Sequence, residues 1–87
     1  MNNVFVYTYR DDDSPNLTLA VYETRADANA RLREDVEKFF GEPWDSLKEI
    51  PYTGGVNREE RYISDDHVEY STWNGNYYWD VDEREVL

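Results

Sequence analysis

Asn74-Gly75 stands between two aromatic-rich segments of alternating character, and no other feature constrains the fold as tightly. Asn-Gly readily takes the positive-φ conformation of a type I′ turn, whose twist matches two antiparallel strands. Tyr62 to Trp73 alternates before it and Asn76 to Val81 follows it, so the pattern predicts a terminal β-hairpin. With Asn74 and Gly75 as the loop residues, Thr72 falls opposite Tyr77, Tyr70 opposite Trp79, and Val68 opposite Val81. That face is apolar and suited to a core. The other face then pairs Ser71 with Tyr78, Glu69 with Asp80, and His67 with Asp82.

The rest of the chain supplies what the hairpin packs against. Residues 4–10 are almost all β-branched or aromatic and read as a strand. Asp11 to Asn16 is a cluster of turn formers, and Leu17 to Tyr22 is a second strand with Leu17, Leu19 and Val21 on one face. Thr24 then offers a helix cap, with Asp27 three residues on. Ala28, Leu32, Val36, Phe39 and Phe40 recur at helical spacing as one apolar stripe. Asp27–Arg31 and Glu34–Lys38 are acid-first pairs four residues apart. Gly41 and Pro43 end the helix. Residues 42–61 read as an irregular connection in which Trp44, Leu47, Ile50 and Tyr52 pack a short helical turn or a wandering loop onto the core. The order β-β-α-β-β gives an α+β class: one domain over residues 1–87, with a four-stranded antiparallel sheet and one helix on one face.

The segment from Leu19 to Val36, with Ala26-Asp27-Ala28-Asn29-Ala30 at its centre, resembles small acidic proteins predicted in fungal genomes. In those, too, a strand runs into a helix opening with that alternation of alanine, and a Trp-containing acidic segment like Phe40-Gly-Glu-Pro-Trp-Asp follows. The resemblance covers about residues 4–45 and implies the same order of elements. It implies nothing about chemistry.

Composition narrows the function classes. The chain carries 20 acidic against 9 basic residues, a net charge of −11. Such a charge repels nucleic acid and anionic membrane and attracts basic surfaces. It is unevenly placed: residues 24–40 are neutral, residues 1–23 carry −3 and residues 41–87 carry −8. There is no cysteine, which excludes disulfides and thiolate metal sites. The N-terminal Met-Asn-Asn-Val-Phe-Val has no basic region followed by a long apolar stretch, so a cytoplasmic location is expected.

No catalytic pattern stands out. The chain holds no cysteine nucleophile, no Ser/His/Asp signature and no phosphate-cradling glycine loop. Asp65, His67 and Asp82 are the nearest approach to a metal set, and Glu69 with Asp80 the nearest to an acid–base pair. Neither amounts to a site, so no enzyme, metal or cofactor is expected. A carboxylate row interleaved with Tyr and Trp instead suits a basic, arginine-rich protein partner. The partner-binding set expected on this basis is Asp65, Asp66, Glu69, Trp73, Tyr78, Asp80 and Asp82. Small size and acidity resemble DNA-mimic inhibitors such as anti-CRISPR proteins, which implies a nucleic-acid-binding protein as target. The alternative is a structural or self-associating module that forms a homodimer, and a third reading is a small metal- or ligand-binding domain.

Overall fold

The computed structural model describes residues 3–12, 17–49, 60–72 and 75–86. The β-branched and aromatic run near the N-terminus forms β1 (Asn3–Asp11), which pairs with β2 (Leu17–Tyr22) from Arg10↔Leu17 to Phe5↔Tyr22. Helix α1 (Arg25–Phe40) follows, then a short α2 (Trp44–Glu49). Three strands complete the chain: β3 (Glu60–Ile63), β4 (His67–Thr72) and β5 (Gly75–Glu85). All pairings are antiparallel, and the strand order is β2-β1-β5-β4-β3.

The sheet therefore has five strands rather than the expected four. The stretch from Tyr62 to Trp73 is not one strand. It folds back at Asp65-Asp66, where the Ser64 amide donates to the His67 carbonyl at 2.9 Å and Ser64 Oγ donates to the same oxygen. Short polar side chains that bond nearby backbone favour such a turn over a continuing strand. Of the irregular connection, Trp44 and Leu47 are buried on α2. Ile50 and Tyr52 lie outside the described residues.

Helix α1 is set by its ends. Thr24 adopts extended backbone angles and its side chain accepts from the Asp27 amide at 3.1 Å. Gly41, at φ 69°, takes the left-handed conformation that closes a helix, and its amide donates to the Glu37 carbonyl at 2.8 Å. Glu34 and Lys38 form the expected pair at 3.4 Å. Arg31 turns forward to Asp35 at 3.0 Å instead of back to Asp27.

Side chains alternate across a strand, so burial identifies the covered face. Tyr7, Val68, Trp79 and Val81 are buried against Ala28, Leu32 and Val36. Phe39 is part-exposed, yet its ring lies 5.0 Å from Trp79 and 4.9 Å from Tyr77. Phe40 stands edge-on to Tyr70 at 5.0 Å. Inside this layer Tyr7 donates from its hydroxyl to Asp35 at 2.7 Å, and Arg31 links the same carboxylate to the Tyr22 hydroxyl. The only polar atom that Tyr7 carries into the core is thus satisfied.

Candidate protein-binding face

The helix covers one side of the sheet, and the alternate residues of every strand face away from it. On β4 these are His67, Glu69 and Ser71; on β5 they are Asn76, Tyr78, Asp80 and Asp82. Their alignment differs from the one counted from the Asn-Gly turn. Thr72 pairs with Gly75, Tyr70 with Tyr77, Val68 with Trp79, Glu69 with Tyr78, and His67 with Asp80. The hairpin has slipped by two residues, a shift that keeps each side chain on its expected face because the strand period is two. Asn74 and Trp73 lie outside the described residues, so the expectation that Trp73 shares the Tyr78 face does too.

Cross-strand chemistry explains the slip. The expected register sets Glu69 directly against Asp80, and like charges in opposition destabilise a sheet. The observed register replaces that with His67 against Asp80 and stacks Tyr70 on Tyr77 at 5.9 Å. It also centres Trp79 between Val68 on β4 and Tyr9 on β1, whose ring lies 5.2 Å away.

His67 organises this face. Its Nδ1 bonds the Asp80 carboxylate, and its Nε2 lies 2.9 Å from Glu69 Oε1. Burial pushes the imidazole pKa down, but the hydrogen bonds and negative field of Asp80 and Glu69 outweigh it and leave the value raised. Tyr62, on β3, lies beside the ring at 5.7 Å. Arg10 and Arg84 share the face: Arg10 covers the Tyr78 ring at 4.6 Å, and Arg84 stands 3.8 Å from Asp82.

The expected site residues thus divide. Glu69, Tyr78, Asp80 and Asp82 gather on the uncovered face. Asp66 turns to the helix side, where Arg25 holds it at 3.6 Å and Glu83 at 3.1 Å. Asp65 borders the same side, lining a shallow hollow with Asn29 and Arg33 of α1. The convergence of Asp65, His67 and Asp82 is corrected accordingly: Asp65 lies by the helix, and Asp80 takes the place opposite His67. Among the described residues, no group of three or more His, Asp or Glu side chains is placed to hold a metal ion. His67 stands on the face where alternation put it, opposite Asp80 instead of Asp82; Tyr62 and Arg10 join it there although the sequence did not single them out. The turn at Asp65-Asp66 was the missing signal, because it brings Tyr62 back beside His67.

No family model, curated protein or solved structure matches the chain. Among the described residues no helix is long and apolar enough to cross a membrane.

Proposed function

We propose that this acidic domain is a non-enzymatic binding protein that docks on a basic protein surface, in its sharpest form as a DNA mimic that inhibits a nucleic-acid-binding protein. The observation that carries the reading is the uncovered face of β4 and β5, where Glu69, Asp80 and Asp82 stand among Tyr62 and Tyr78. Carboxylates two residues apart on one strand, such as Asp80 and Asp82, repeat at about 7 Å. A partner's arginines can pair with them and stack on the tyrosine rings. The charge mainly raises the association rate, and the rings slow dissociation. Protonated His67 offsets part of this charge, so the face grows more negative as pH rises through the raised His67 pKa. Binding to a basic partner then strengthens over the same interval.

The test is capture of basic proteins from native lysate at low and high salt, followed by kinetics on the recovered partner. Glu69→Lys with Asp82→Lys is expected to slow association and flatten its salt dependence, while leaving the His67–Asp80 pair in place. Tyr78→Ala is expected to act mainly on dissociation. Glu34→Lys with Lys38→Glu, exposed on the helix that covers the opposite face of the sheet, is the control. If the control abolishes binding and the β4–β5 reversal spares it, the docking face is wrong.

A further inference from the structure

Among the described residues, strand β2 is one edge of the sheet, with β1 as its strand neighbour, and it is the apolar edge. Leu17, Leu19 and Val21 point away from the helix and are 63%, 62% and 58% exposed. They line up with Arg10, Thr8 and Val6 of β1, which share the uncovered face. Natural sheets guard an exposed edge with charges, proline or a bulge, because unpaired backbone groups recruit another strand. Residues 17–22, Leu-Thr-Leu-Ala-Val-Tyr, contain no charge, proline or glycine. The opposite edge, β3, contains Glu60 and Arg61.

We infer that β2 pairs antiparallel with β2 of a second copy, joining two sheets into one ten-stranded sheet about a two-fold axis at Leu19. The strand is its own complement under reversal. Centring the pair on Leu19 sets Leu17 against Val21 of the other copy and Leu19 against its twin, so apolar meets apolar along the uncovered face, and Thr18 meets Ala20 on the other. It also keeps both helices on the same side, since residues of equal parity face each other. Shifting by one residue would bring Leu17 opposite Tyr22 and turn the two apolar stripes to opposite faces. The contact is isologous and closes on itself. The charged β3 edges stay at the two ends, where they oppose further growth.

The electrostatics fit a second copy at this place. The whole chain carries −11, so two copies repel. The seam itself is neutral, and on the row through Leu19 the first carboxylate, Asp80, stands two strands away. Salt screens the long-range repulsion and leaves the apolar seam intact. Self-pairing therefore tightens with ionic strength, whereas docking of a basic partner on the acidic face weakens. The seam is short, which makes the pair a reversible, concentration-dependent one.

Sedimentation velocity on the full chain, across concentration and salt, reads this directly. The expected result is a monomer–dimer equilibrium that shifts at least several-fold toward dimer on going from low to high salt. Leu19→Lys is expected to weaken it more than tenfold. That substitution lowers the net negative charge, so its loss cannot come from added overall repulsion, and an unchanged circular dichroism spectrum shows the fold intact. A second measurement reads the register. The chain has no cysteine, so nitroxides can be placed singly. Two labels at Leu19→Cys meet across the axis and broaden each other strongly. Two at Val21→Cys are separated by four residue steps, about 14 Å between backbones, and broaden much less. A chain that stays monomeric at high concentration and high salt overturns the inference. A dimer untouched by Leu19→Lys, or one with equal broadening at both sites, overturns it as well. None of these outcomes bears on docking at the acidic face.

Discussion

His67 on β4 sits directly opposite Asp80 on β5, and its two ring nitrogens bond carboxylates on both strands, Asp80 across the ladder and Glu69 beside it. The pair has a definite sign in stability. Its folded pKa lies above the 6.5 of an ordinary histidine. The folded state therefore holds the proton more tightly than the unfolded chain does. This stabilisation is fully present below 6.5 and is lost as pH rises through the folded value. Denaturant midpoints measured over that interval are expected to fall for the native chain. The fall should be smaller for His67→Gln, and the difference between the two curves isolates the histidine. Identical curves would mean that His67 does not hold its proton through these carboxylates.

Two leucines of opposite burial give a stability contrast. Leu32 is fully buried on α1, and Leu32→Ala is expected to cost about 2–5 kcal/mol by chemical denaturation. Leu19 is mostly exposed on β2, and Leu19→Ala in dilute monomer should stay within about 0.5 kcal/mol. Equal costs would put β2 the wrong way round against the core.

Tyr7→Phe removes the hydroxyl that donates to Asp35 while keeping the ring in place. Hydrogen bonds to charged groups contribute about 1.5–3 kcal/mol, and a loss in that range is expected. Burial, followed by the Asp35 hydrogen bond, raises the Tyr7 pKa above its ordinary 10.0. Its contribution is complete below that value and is lost as pH climbs above it. In an alkaline absorbance titration Tyr7 should ionise only as the chain unfolds, so Tyr7→Phe should lower the amplitude of the unfolding step.

Both ends of α1 are open to single substitutions. Thr24→Ala removes the acceptor for the Asp27 amide, at an expected cost of about 1 kcal/mol. Gly41→Ala places a side chain on a left-handed backbone, for roughly 1–2 kcal/mol. An added Cβ meets nothing within 4 Å at Gly41, so the cost is conformational and not steric crowding. Thermal melts of the two variants check both values. A neutral Gly41→Ala would mean that the helix ends elsewhere.

Much of the architecture was legible because it follows local rules. The first hairpin, the Thr24 cap, the Gly41 stop and the Ala28-Leu32-Val36 stripe each depend on residues a few positions apart, and each stands where the spacing puts it. The faces of β4 and β5 were also legible, since alternation survives a slip of two residues. The Asp65-Asp66 turn was harder to see inside a run with strand-like alternation, and missing it merged two strands into one.

The sequence by itself determined the helix, the alternation of each strand and the uneven placement of charge, because those depend on residue type and near neighbours. Tertiary structure decided which alternate residues meet. The choice between Glu69–Asp80 and His67–Asp80 depends on β5 being held on both sides, with Trp79 seated between Tyr9 and Val68. The exposure of Leu17, Leu19 and Val21 was likewise a tertiary outcome. Ala20 and Tyr22 of the same strand pack inward against the layer around Tyr7, and a strand that is covered on one face by the helix must present its other residues to the open side.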